Sequence, residues 1–235
     1  MTTREIIQYV KEHSSGKVKI AFTDIDGILR GKYISTEKFL SVPDSSLRFC
    51  NVIFGWDAND AAYDNASYTG WHTGYPDAAA KIDLSTFRKI PWENDVPFFL
   101  GEVIDEKGKP AYVCPRQLVK KVLADANEMG FNPVFSQEFE WFNFAETPQS
   151  ANEKHFKNLT PLTPGMFGYS ILRSSLENPF FTELFEQLKK FNVPLEGLHT
   201  ETGPGTYEAA IMYSGITEAA DRAVLFKTAV KEIAY

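Results

Sequence analysis

The segment Gln137-Glu138-Phe139-Glu140-Trp141-Phe142 alternates carboxylates with aromatic rings. In a β-strand, residues two apart share a face. Glu138 and Glu140 then point to one side, and Phe139 and Trp141 to the other. The pattern asks for a strand with one face against a core and the other open. Two neighbouring carboxylates repel each other unless a cation sits between them. Hard oxygen donors of this kind suit magnesium or manganese. An edge strand with a solvated acidic face accounts for the same residues.

A second acidic group lies downstream, in Glu196-Gly197-Leu198-His199-Thr200-Glu201-Thr202-Gly203-Pro204-Gly205-Thr206-Tyr207-Glu208. Glu196 and Glu201 bracket a predicted strand. Gly203-Pro204-Gly205 is a tight-turn signal, which brings Glu208 back beside Glu201. Carboxylates facing each other across a hairpin form a candidate cation site. An ordinary solvated hairpin is the alternative.

Several other chemistries find no motif. The glycine turn lacks the Gly-Lys-Ser/Thr of a phosphate-binding loop, and neither Gly-x-Gly-x-x-Gly nor Gly-x-Ser-x-Gly occurs in a fitting context. His13, His72, His155 and His199 show no metal-ligand spacing and read as structural or surface residues. Cys50 and Cys114 give no disulfide framework or thiolate metal site. Trp56, Trp71 and Trp92, with Tyr63, Tyr68 and Tyr75, read as packing for irregular loops. The formal net charge of −7 argues against nucleic-acid binding, which needs a basic patch. No stretch approaches eighteen apolar residues. The expected setting is a reducing cytoplasm, with no membrane partner.

With 235 residues, 43% of them hydrophobic, the chain can bury a substantial core. A helix is predicted over 2–13, with Thr2 and Glu5 as a capping box and Ser14-Ser15-Gly16 as its end. Val18–Phe22, Leu29–Ile34 and Val96–Ile104 read as strands. Residues 41–93 read as short strands and ordered loops. A helix begins at Pro115, with a stripe of Leu118, Val119, Val122, Leu123, Ala126 and Met129, and ends at Gly130. Pro133–Phe144 and Val193–Thr200 read as strands. Helices start at Asn178-Pro179 and at a capping Thr217. Their stripes are Phe181, Leu184, Phe185 and Leu188 in the first, and Ala219, Ala223, Phe226, Val230 and Ile233 in the second. The fold class is α+β, a mostly β module up to residue 107 followed by alternating helix and strand over 108–235.

In order and spacing, these motifs resemble the glutamine synthetase family over essentially the whole chain. Glu138-Phe139-Glu140-Trp141-Phe142 is similar to that family's Glu-x-Glu-Phe-Phe strand. Glu201 through Glu208 is similar to its Glu-x-x-Pro-Gly-Gln-x-Glu hairpin, and Ala219-Ala220-Asp221 to the helix that follows. Asp24-x-x-Gly27-x-x-Arg30-Gly31-Lys32 resembles the opening hairpin of the family's β-grasp domain. The resemblance implies a β-grasp-like domain over 1–107 and the first part of a catalytic domain over 108–235. It implies an ATP-dependent ligase that joins glutamate to ammonia or a small amine through γ-glutamyl phosphate, in a ring of identical subunits. Glu140, Glu201 and Glu208 would hold one Mg2+ or Mn2+, and Glu138 would contribute to a second. Glu196 would contact the nucleotide, Tyr213 would lie beside the adenine, and Asp57 would bind and deprotonate ammonium.

Two departures leave room for an amine in place of ammonia. The family's Asp-Gly-Ser-Ser reads Asp57-Ala58-Asn59-Asp60 here, and the Gln of its hairpin is Thr206. The family's remaining metal ligands and its substrate-binding arginines lie beyond residue 235. The expectation is therefore the first half of a longer ligase, or else a non-catalytic half-length relative that modulates a full-length one.

Overall fold

The computed structural model describes residues 1–13, 15–42 and 47–235. The N-terminal helix α1 (Thr3–His13) starts as its sequence dictates. Thr2 Oγ1 accepts the Glu5 N–H at 3.3 Å, and the Glu5 carboxylate accepts the Thr2 N–H at 2.7 Å. Of the expected stop signal, Ser14 lies outside the described residues.

Strands β1 (Lys17–Thr23) and β2 (Leu29–Ser35) form an antiparallel hairpin. Its turn is tied by buried Asp24, which accepts the N–H groups of Asp26 and Ile28 and the Arg30 Nε–H at 2.8–2.9 Å. Helix α2 (Thr36–Ser41) is capped by Ser35. Strands β3 (Leu47–Cys50), β4 (Asp77–Ile90) and β5 (Val96–Ile104) complete a five-stranded sheet ordered β2-β1-β5-β4-β3. Within the stretch read as short strands and loops, β4 is instead a strand of 14 residues. Its register shifts between Asp83 and Arg88, and this irregularity interrupts the period-two pattern a reader would look for.

The remaining elements build a second layer. Helix α3 (Pro115–Glu128) precedes β6 (Val134–Phe135) and β7 (Glu138–Phe142). The single strand expected over 133–144 is thus two. After β6 the chain changes sheets: β6 pairs with β10 (Ser214–Gly215), while β7 pairs with β9 (Thr206–Ile211). Between them lie α4 (Pro148–Glu153), α5 (Ile171–Leu176), α6 (Asn178–Lys190) and β8 (Leu195–Thr200). Strands β7, β9 and β8 form a three-stranded antiparallel sheet with β9 in the centre.

The last helix, α7 (Ile216–Ala234), carries no side-chain cap, and Thr217 lies inside it. Backbone pairing of Ser214 and Gly215 with β6 starts this helix instead. Its buried face is Ala219, Asp221, Leu225, Phe226, Ala229 and Val230, so the expected Ala223 and Ile233 flank the contact instead of centring it. Phe226 stacks on Phe139 at 5.4 Å and meets Trp141 edge-on at 5.6 Å. Helix α6 buries Leu184 and Leu188 against the same core and Phe181 against Tyr207, while Phe185 is partly exposed.

The predicted stripe on α3 divides. Leu118, Val122 and Met129 are exposed, and the buried side chain is Arg116. Its guanidinium forms a fork with Asp221 of α7 at 2.8 and 2.9 Å, reaches Asp83 of β4 at 2.7 Å, and contacts Glu102 of β5. Burial raises the Asp221 pKa, and the Arg116 fork offsets part of that cost. Burial also works against the Asp83 charge, yet hydrogen bonds from Ser85, Arg116 and Lys120 hold that carboxyl far below the ordinary range. Removing one partner of a buried ion cluster leaves the others uncompensated, at about 3–5 kcal/mol. Arg116→Ala should therefore lower unfolding stability in urea by about that amount, whereas Lys121→Ala, whose partner Asp125 is exposed, should change it by less than about 1 kcal/mol. Equal effects would refute the cluster's role.

Candidate cation and nucleotide site

The three-stranded sheet presents two chemically distinct faces. Phe139, Trp141, Tyr207, Ala209 and Leu198 face α6 and α7, and Tyr207 and Ala209 are fully buried. Burial pushes the Tyr207 hydroxyl up to about 12. The opposite face carries the predicted glutamates in register. Glu140 of β7 lies across from Glu208 of β9, and Glu208 lies across from His199 of β8. Two residues further along, Glu138 pairs with Ala210, and Ala210 with Gly197. A Cβ on Gly197 would meet nothing within 4 Å, so the sheet is open there.

Turn chemistry brings Glu201 into this row. Gly203 has φ +151° and Gly205 has φ +75°, and the Thr206 N–H returns to the Gly203 carbonyl at 3.2 Å. The Glu201 N–H then donates to the Thr206 carbonyl at 2.8 Å, which closes the hairpin. Asn143, just past β7, anchors the turn through its backbone N–H and side-chain amide, which donate to the Gly205 carbonyl at 2.7 and 3.1 Å.

Ligand atoms of His199, Glu201 and Glu208 lie within 4.8 Å of one another, all on half-buried side chains. The backbone N–H of Thr202, at 2.7 Å, holds the Glu201 carboxyl below its ordinary pKa. Two carboxylates and an imidazole with free lone pairs form a donor set that fits a divalent cation. Glu140 sits opposite Glu208 in the register but is not one of these three converging groups.

The other predicted residues fall at different distances from this centre. Glu196 is exposed at a register shift in β8: Leu195 pairs with Ile211 and Gly197 with Ala210, which leaves Glu196 as the extra residue. Such a bulge re-aims a side chain. Tyr213 is exposed just beyond β9. Asp57 belongs to a loop of the five-stranded sheet, where its Oδ1 accepts the N–H groups of Asn59 and Ala61 at 2.8 and 3.0 Å. Its carbonyl accepts Arg30 at 2.9 Å.

His199 is the group that sequence reasoning missed. A search for histidine-to-histidine spacing passes over it. The available signal was strand parity, because one residue two positions before Glu201 in a strand shares that glutamate's side.

Comparison with known proteins agrees with this architecture. The family profile described as glutamine synthetase, catalytic domain, matches residues 112–235. The chain is 56% identical to type-1 glutamine synthetase 2 of Dictyostelium discoideum over 97% of its own length and 44% of that protein's. It is 30% identical to a glutamate–isopropylamine ligase of Pseudomonas, covering 98% of this chain and 50% of that one. A solved structure of a GmaS/ADP complex superposes with a TM-score of 0.76 at 22% identity, over 97% of this chain and 49% of the other, and shares the fold. The chain spans about half the length of the curated relatives it matches.

Gly205 decides the hairpin. A Cβ there would stand 2.3 Å from the Asn143 carbonyl oxygen, in a left-handed conformation that side chains resist. Gly205→Ala should cost more than about 1 kcal/mol in urea unfolding and weaken Mn2+ binding at the adjoining carboxylates. Gly108→Ala, left-handed but with open space around it, supplies the control for φ alone. Unchanged Mn2+ affinity in Gly205→Ala would show that the turn does not set the site.

Proposed function

The chain belongs to the glutamine synthetase family, and we propose that it forms the cation- and nucleotide-binding half of an ATP-dependent glutamate–amine ligase. The convergence of Glu201 and Glu208 with the cross-strand placement of Glu140, on the open face of a sheet whose back is core, carries this reading. In it, Glu140, Glu201 and Glu208 hold one Mg2+ or Mn2+ and Glu138 contributes to a second. When bound, the cations neutralise phosphate charge during phosphoryl transfer from ATP to the γ-carboxylate of glutamate. Ammonia or a small amine then displaces phosphate and leaves a γ-glutamyl amide.

Glu196, re-aimed by its bulge, contacts the nucleotide in this reading, with Tyr213 beside the adenine. Asp57 binds the incoming ammonium or amine and takes its proton. Because Asp57 stands on a loop of the N-terminal sheet, it serves this role best across a subunit boundary, within a homo-oligomeric ring. Relatives named for glutamine and for isopropylamine chemistry support either acceptor, and Thr206 and the Asp57-Ala58-Asn59-Asp60 loop leave room for the amine. Residues 1–107 form the β-grasp-like domain and 108–235 the partial catalytic domain. The free thiols of Cys50 and Cys114 suit a reducing cytoplasm. Among the described residues, no helix is long and apolar enough to cross a membrane.

A second reading has its own support. Leu118, Val122, Met129, Phe131, Val134 and Phe135 are all exposed, a run of apolar side chains that favours a covering polypeptide. A non-catalytic half-length chain that docks on a full-length homologue would use such a surface. Intact mass from the native source separates the two. A mass near twice 26.5 kDa supports the ligase, and one matching 26.5 kDa supports the modulator.

For the ligase, a protein of full family length should release ADP in a glutamate-dependent manner. Glu140→Gln should reduce that rate by at least about a hundredfold, in the range seen for lost transition-state electrostatics. Retained activity in Glu140→Gln would overturn the assignment of this residue.

A further inference from the structure

We propose that His199 is a direct ligand, through Nε2, of the cation held by Glu201 and Glu208. The proposal deepens the cation-site reading above and rests on it.

The imidazole is fixed in both tautomer and orientation. Its Nδ1 lies 3.1 Å from the Thr200 carbonyl oxygen, which can only accept, so Nδ1 carries the proton. Nε2 then keeps its lone pair and lies 3.6 Å from Oε2 of Glu208. That separation is too long for a hydrogen bond. A lone pair facing a carboxylate is repulsive unless a positive charge lies between them. Two ligands on one ion, each about 2.1 Å from it at ordinary coordination angles, stand about 3.0–3.5 Å apart. The pair therefore sits close to the spacing of shared ligands, and Glu201 completes the set, since the ligand atoms of all three residues lie within 4.8 Å of one another.

A separate segment locks the ring. Tyr169 stacks on His199 with centroids 4.0 Å apart and planes 18° from parallel. Tyr169 has φ +53°, a conformation that large side chains seldom adopt, and its own N–H donates to the same Thr200 carbonyl at 2.7 Å. Ser170 N–H donates to Thr200 Oγ1, which donates in turn to the Phe167 carbonyl, both at 2.9 Å. Backbone strain at a site persists where surrounding contacts over-determine it. Here those contacts aim an imidazole. A metal-bound histidine is oriented in the same way, by giving its remote N–H to a backbone carbonyl.

The chemical consequence is a mixed nitrogen and oxygen donor set. Magnesium prefers oxygen alone, whereas imidazole favours manganese and later metals. The site should prefer Mn2+ to Mg2+ because of His199.

Pulsed EPR of Mn2+ bound to the 235-residue chain tests this without reference to activity. Direct ligation predicts 14N echo modulation in the wild type. In His199→Gln the modulation should vanish, and the Mn2+-over-Mg2+ affinity ratio measured by calorimetry should fall roughly tenfold or more. If Mn2+ binds, is lost in Glu208→Gln, and shows no 14N modulation, the cation-site reading stands and the His199 proposal falls. In that case the imidazole only bridges the two carboxylates. If the folded wild type binds no Mn2+, both fall.

Discussion

One guanidinium joins the two layers of this protein. Arg116 enters from α3 and is met by carboxylates from β4, β5 and α7. No other side chain could make this joint as well, because its planar fork takes Asp221 in two bonds and leaves a further N–H edge for the five-stranded sheet. The position of α7 follows from this contact and is reinforced along the helix. Arg88 reaches Glu218 at 2.8 Å, Lys227 donates to the Gly27 carbonyl at 3.1 Å, and Glu232 takes Lys19 and Trp92 at 3.1 and 2.9 Å. Once α7 is placed, Phe226 fixes the aromatic back of β7. The open face of β7 is then determined by parity alone. The orientation of Glu138 and Glu140 thus depends on an ion cluster in another layer of the molecule.

What the sequence made legible was whatever local chemistry decides. Alternation in Glu138–Phe142, the glycine turn at 203–205 and the capping box at Thr2 each carry their own physical signature, and each formed as read. The features that were not legible depend on distant partners. The 14-residue β4 contains Asp83 and Arg88, which pair with Leu100 and Phe98 of β5 on either side of a register shift, so its strand comes from that partner and not from propensity. The split between β6 and β7 requires β10, some 80 residues away. On α3 the apolar periodicity was real, but it divides between α7 and an exposed side, and the buried anchor is the charged residue. Periodicity reports that a face is apolar. It does not report what covers it.

The site shows the same limit at higher resolution. Strand parity places Glu140 and Glu208 on one face, and the register then makes them direct neighbours, a pairing that no single segment contains. His199 needed a third strand for its meaning to emerge. Seen alone, it is one of four isolated histidines. Across from Glu208 and under Tyr169, it becomes a donor with a fixed tautomer.

The two acidic clusters differ in how their charge is met. Asp83, Glu102 and Asp221 are three carboxylates in one place; Glu201 and Glu208 converge likewise, with Glu140 across from Glu208 in the register. The first group is matched within the chain by Arg116 and Lys120 and is largely buried, so its charges are spent on holding layers together. In the second group, the ion pairs of Glu201 and Glu208 among the described residues are with His199, which is positive only when protonated. That face is left open, and its turn is pinned by a glycine that tolerates no side chain. Negative charge that the fold concentrates on an open face without a matching guanidinium or ammonium is the arrangement on which the proposed cation site rests.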